Sequence, residues 1–364
     1  MGKENKVRIT YIDVVKAIAM ISVVIFHACT NHSSTYQATN AYLIRFLSAF
    51  AMPVFFFING FLYRNKNPQH PIKEIFRKIK SYYLPFLAYN LFYLLMHNVF
   101  AYLHMVDANY GNSFYSVKDY LKHFVLAVTG HREFFSGALW FLGSILTISA
   151  IVIVCEYLIL KCLKNKHKFM VLGVVAVICM IAGNSGYVPE TMKLAASCSS
   201  MIYFFFGMLY KHLNLNDMFL KKKYWYLFVG MVVNLFISYN KLYDPFAINF
   251  NLLIIILDYI NAFFCIVAIL MVAQIPWVAK NKVLNVVGRN TLDIMALHFM
   301  VFKMVSFIII CCYTLPIERL AEYPVLMGVG GGWWLLYAVM GILIPTIFSM
   351  ARHHIARKVS EEKR

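Results

Sequence analysis

Apolar residues fill this chain in long runs, and polar residues collect in the short stretches between them. Ten runs approach the ~20 residues that a helix needs to cross a bilayer. They cover residues 10–30, 40–63, 81–104, 138–160, 169–186, 194–211, 224–240, 250–274, 291–313 and 333–351. The pattern predicts an all-α integral membrane protein of about ten transmembrane helices. It reads as a single transmembrane domain over residues 1–364 with no appended soluble domain. Within the second run, Pro53 predicts a kink, and Gly60 a close helix contact or a local break. The piece SVKDYLKHFVLAV (116–128) is weakly amphipathic and suits the membrane surface. GVGGGWW (328–334) is too flexible for the centre of a span and reads as an outer turn before an interfacial Trp pair.

The first run breaks its own apolar rule. TYIDVVKAIAMISVVIFHACTN carries Asp13, Lys16 and His27. A charged side chain at membrane depth costs a few kcal/mol and is rarely kept without a partner or a task. Asp13 and Lys16 lie three apart, so they share a helix face and can neutralise each other. Met20, Val24 and His27 continue the same face. At ~1.5 Å per residue, His27 sits roughly 20 Å above Asp13, in the opposite half of the bilayer. The ninth run opens with GRNTLDIMALHFMVFK and holds Asp293, His298 and Lys303, with His298 about a third of the way up from its start. The eighth carries Asp258 and Asn261 on one face.

Composition agrees: 61% of residues are hydrophobic and 16% aromatic, which excludes an ordinary soluble domain. The formal charge of +18 suggests nucleic acid until its location is considered. With the N-terminus inside, 25 of the 34 Lys and Arg residues fall on inner segments and six on outer ones. This asymmetry predicts both termini in the cytoplasm and no nucleic-acid partner. No cleavable signal peptide is evident. The eight cysteines lack CxxC spacing, so neither a metal site nor a disulfide framework is expected.

Five stretches, YIDVVKAIAMISVVIFHA, FFFINGF, FRKIKSYYLPF, LWFLGSIL and GRNTLDIMALHF, stand in the order found in the membrane-bound acyltransferase 3 family. The chain resembles the branch grouped with fucose 4-O-acetylase and the enterobacterial common antigen O-acetyltransferase. The resemblance implies an O-acyltransferase in a bacterial inner membrane. Its donor would be acetyl-CoA or a related acyl-CoA, and its acceptor a hydroxyl of a cell-surface polysaccharide or lipid-linked sugar. The family's first-helix histidine falls on His27, and its early basic residue on Arg8 or Lys16. Its FxxSGF turn falls on Phe57 to Phe61, with Asn59 in place of Ser. Its paired arginines fall on Arg77 and Lys80; lysine lacks the bidentate fork of arginine but still serves as a phosphate-binding charge. The HxWSL motif of other branches is absent, with LWFL its plainer counterpart.

On this reading His27 is the candidate base for the attacking hydroxyl, because imidazole titrates near working pH. Its bland alternative is a structural histidine between helices. Asp13 either orients a polar channel or makes an interfacial ion pair with Lys16. His298 is a second catalytic candidate or a satisfied core histidine. Arg8, Lys16, Arg77 and Lys80 are candidates for the CoA phosphates, although basic inner loops occur in any membrane protein. Asn59, Trp140 and Asp258 are candidates for substrate contact; Trp140 equally suits an interfacial anchor, and Asp258 helix–helix glue. A transporter or flippase is the rival class, since it too carries polar residues in its spans and a broken helix. Succinyl is the rival acyl group.

Overall fold

The computed structural model describes residues 9–30, 37–106, 114–163, 165–189, 193–240, 252–329 and 331–362. Among them all regular structure is helical. α1 (Thr10–Ala28) and α2 (Gln37–Leu62) come first, and α2 runs helical through Pro53. The amphipathic α3 (Pro71–Lys78) leads through a π-type turn (Ile79–Tyr83) into α4 (Leu84–Leu95) and α5 (His97–Tyr102). α6 (Val117–Val128) starts on a capping box between Ser116 and Asp119 and leaves Leu121 and Val125 exposed, the geometry of a surface helix. α7 (Trp140–Cys162), α8 (Lys168–Asn184), α9 (Leu194–His212), α10 (Leu215–Lys221), α11 (Lys223–Tyr239) and α12 (Leu252–Ala273) follow. The short α13 (Pro276–Ala279) and α14 (Lys282–Arg289) lead into α15 (Thr291–Tyr313) and α16 (Trp333–Glu362).

Every run anticipated from the sequence is helical, but six of these helices are long and apolar enough to cross a membrane: α1, α2, α7 with its preceding 3-10 turn, α12, α15 and α16. The run at 81–104 differs most from expectation. It is not one helix but α4 and α5 with a break at Met96. Pro85, which has no N–H to donate, sits just after the π-type turn and interrupts the regular ladder.

α1 lies inside the bundle, touched by α2, α12, α14, α15 and α16. Its buried residues surround the helix rather than lining one stripe, as expected of a helix buried on all sides. α2 crosses α9 closely. A Cβ added to Gly60 would stand 1.9 Å from the Phe204 carbonyl oxygen, and one added to Gly207 2.0 Å from that of Phe57. The two glycines therefore let the backbones touch reciprocally, the small-residue contact typical of membrane helices. The close-contact reading of Gly60 is the one that holds. Gly207→Ala should destabilise the protein by about 2 kcal/mol through overpacking. Gly143→Ala, with nothing within 4 Å of the added methyl, should not. Thermal unfolding of both variants in detergent measures the difference; equal melting temperatures would refute the contact.

Candidate active site

Two buried carboxylates organise the end of the bundle where α1 and α15 begin. Asp13 on α1 is 2% exposed, with Lys16 Nζ and Arg289 Nε each 3.6 Å from its oxygens. Gly288 allows this: a Cβ there would collide with the Asp13 carbonyl, so α14 packs backbone to backbone on α1. Asp293, the third residue of α15, is also 2% exposed. Arg352 Nη2 donates to both its oxygens at 3.1 and 2.8 Å, and the hydroxyls of Tyr89 and Ser349 donate as well. Tyr93 OH donates to the Ala296 carbonyl at 2.6 Å, fixing α4 against α15 one turn further on.

The imidazoles lie beyond this layer. His27 and His298 stack with ring centroids 5.4 Å apart and planes 28° apart. Their expected depths, one in the far half of the bilayer and one a third of the way in, are reconciled by how α1 is offset along its axis. His27 is the penultimate residue of α1, while His298 is only seven residues beyond the start of α15. α1 therefore begins well before α15 does, alongside α14.

The two rings differ in environment. His298 is fully buried, and its Nδ1–H donates to the Ile294 carbonyl at 2.9 Å. A carbonyl only accepts, so the proton is on Nδ1 and Nε2 presents a lone pair. That Nε2 is buried without a hydrogen-bond partner. His27 is half-buried, and its ring packs on those of His298, Phe26 and Phe299, the last at 4.8 Å. Phe299 in turn packs on Tyr323 at 4.8 Å, and Tyr323 on Phe134 at 4.8 Å. Lys303, 1% exposed, secures this aromatic cover. Its Nζ donates to the carbonyls of Leu320, Ala321 and Glu322 at 2.9, 3.2 and 2.5 Å.

The remaining expected site residues are dispersed. Arg8 lies outside the described residues. Lys16 pairs with Asp13, roughly 16 Å along α1 from His27 at 1.5 Å per residue. Arg77 binds Glu74 and donates to the Arg64 carbonyl at 3.0 Å. Burial would raise the Glu74 carboxyl, but hydrogen bonds from Arg77 and Asn67 hold it below its ordinary range. Arg77 thus braces its own loop, and Lys80 is exposed with no bonded partner among the described residues. The inward-pointing cation of this segment is Lys78, 6% exposed, its amine 4.6 Å from the Tyr63 ring centre and pushed down to about 8, chiefly by burial. Asn59 donates to the Phe55 carbonyl at 2.9 Å and accepts from Tyr82 OH at 3.3 Å. Trp140 packs 6.2 Å from Phe56. Asp258 is half-buried on α12 with no hydrogen bond or ion pair to either histidine. No group of three or more metal-ligating side chains occurs among the described residues.

The fold and the imidazole pair define a multi-pass helical membrane protein with nitrogen bases held inside the bundle. The acyltransferase domain family matches it over residues 9–350, and the chain belongs to that family. No curated protein and no solved structure matches it.

The carboxylates predict a ranking. Replacing either buried carboxylate by an amide removes charge-assisted hydrogen bonds at a cost of about 2 kcal/mol, while the cations left behind stay partly in water. Among the described residues the contacts of Asp293 are shorter than those of Asp13, so Asp293→Asn should lower the melting temperature more than Asp13→Asn. The reverse order would show that the Asp13 contacts matter more than their lengths imply.

Proposed function

We propose that this acyltransferase moves an acetyl group from cytoplasmic acyl-CoA to a hydroxyl on a cell-surface polysaccharide or its lipid-linked precursor. The resemblance supports the donor, the acceptor class, the O-acetylating branch and a bacterial inner membrane. The charge asymmetry supports an even number of spans with both termini in the cytoplasm. The observation that carries the chemistry is the stacked His27–His298 pair, with its unmet Nε2 inside the bundle.

In this reading His27 is the base. The acceptor oxygen attacks the thioester carbonyl, and His27 takes the hydroxyl proton as the C–O bond forms. The C–S bond then breaks and the proton passes to the departing thiolate, which leaves as the CoA thiol. His298 holds one tautomer through Ile294 and offers its Nε2 as a hydrogen-bond acceptor beside His27, either to the acceptor hydroxyl or to the protonated His27 ring. The aromatic cover of Phe299, Tyr323 and Phe134 limits water around the thioester, favouring transfer over hydrolysis. Asp13 and Lys16 act as an anchored pair at the cytoplasmic end rather than as proton carriers.

His27→Ala should lower acetyl transfer at least about 100-fold, the usual contribution of a general base, while leaving the protein folded in the membrane. Labelled acetyl-CoA with purified protein, together with mass spectrometry of surface glycans, measures this. Undiminished O-acetylation in that variant would overturn the assignment. Labelled succinyl-CoA in a parallel reaction identifies the acyl group.

A further inference from the structure

A cavity of about 860 Å³ opens where α2, α7 and α9 end and α8 begins. It lies at the opposite end of α2 from the turn that follows His27. Gly60, Leu160 and Met208 contribute apolar lining, whereas Arg64, Lys66, Lys168 and Lys211 bring positive charge. Its carboxylate, Glu156, is 4% exposed and already engaged. Glu156 accepts from Tyr63 OH at 3.0 Å and from Asn65 Nδ2 at 2.7 Å, and lies 2.6 Å from Lys168 Nζ.

That leaves a charge imbalance. Lys168 is neutralised, but Arg64 and Lys211 have no carboxylate partner among the described residues. Arg64 is close enough to Lys211 for the two to repel, and Lys211 Nζ stands over the Phe61 ring at 5.9 Å. The preference of inner loops for basic residues accounts for the presence of these cations. It does not account for their convergence on a hollow whose only acid among the described residues is already used. Like charges held together in a recess call for an anion between them. A guanidinium fork beside a flexible amine suits a phosphate, which presents several oxygens and up to two negative charges. On the same wall the Phe169 ring lies flat on His212, with centroids 3.9 Å apart and planes at 14°, a rigid side for a planar or apolar neighbour of the phosphate.

We propose that this cavity binds a phosphate ester, with Arg64 and Lys211 on its oxygens and the apolar lining against the adjoining part of the ligand. Two sources share that chemistry. One is the nucleotide end of the acyl donor, which rests on the acyl-CoA reading above. The other is the headgroup of an anionic phospholipid, which does not.

The test uses the full chain in nanodiscs. In phosphatidylcholine discs, calorimetry measures binding of adenosine 3′,5′-bisphosphate. In discs doped with phosphatidylglycerol, native mass spectrometry counts retained lipid. Arg64→Gln/Lys211→Gln should weaken the bound probe at least about tenfold, as expected for the loss of charge-assisted contacts. Lys280→Gln, an exposed cation outside the cavity, should not. Binding of the bisphosphate that is lost in the double variant supports the proposal and identifies the donor as the source. Retention of phosphatidylglycerol alone, lost in the double variant, supports it and identifies the lipid. Failure of the wild-type protein to bind either probe, or equal binding by wild type and double variant, overturns it. His27→Ala separates this from the catalytic reading: it should bind the probe normally while losing transfer.

Discussion

A helix buried in the middle of a membrane bundle has no water to satisfy its polar groups, so every charge on it must be met by protein. α1 is such a helix, and its neighbours are arranged around that demand. Lys16 and Arg289 meet Asp13, and α14 comes close enough to supply Arg289 because Gly288 has no side chain in the way. Asp293 is met in the same manner by Arg352, Tyr89 and Ser349. The same constraint explains Arg45, whose Nη1 donates to the Ser238 carbonyl at 3.0 Å, and Lys303, which closes on three carbonyls. These charges tie helices together, and through Lys303 they also tie down the segment that covers the imidazoles.

Against that background the unmet groups are informative. Buried polar atoms are nearly always hydrogen-bonded, so an exception needs a reason. The Ser136 and Ser149 hydroxyls and the Asn285 amide oxygen are exceptions too, but each forgoes only a neutral hydrogen bond, and the Glu156 oxygen that lacks one lies 2.6 Å from Lys168 Nζ. The Nε2 of His298 differs because its tautomer is set by a carbonyl on the other side, which leaves a basic lone pair inside the bundle. A histidine kept only for packing would gain by finding a donor. One kept for chemistry must leave that position open to substrate.

The sequence made the helices and the polar stripe on α1 legible, because apolar runs and i, i+3/i+4 spacing are local properties. The positions of His27 and His298 within their helices were legible as well. Their stacking was not, because it depends on how far α1 is offset along α15, and no local pattern encodes an offset between helices 270 residues apart. The break at Met96 was equally hidden, since 81–104 is as apolar as a continuous span. The Arg352 contact to Asp293 joins two helices whose sequences give no sign of each other.

The basic segment after α2 shows why motif position and geometry have to be considered separately. Arg77 and Lys80 occupy the positions that the resemblance marks for donor phosphates, yet α3 turns Arg77 onto Glu74 while Lys80 is exposed. Glu74 is wholly buried, and releasing Arg77 to a phosphate would strand a carboxylate there. Arg64 carries no such obligation: its backbone carbonyl holds Arg77 while its side chain turns to the cavity. A positive charge can serve a passing ligand only if the fold does not already depend on it. By that criterion the cavity cations Arg64, Lys66 and Lys211, which have no carboxylate partner among the described residues, suit an anion better than the arginine singled out by its motif.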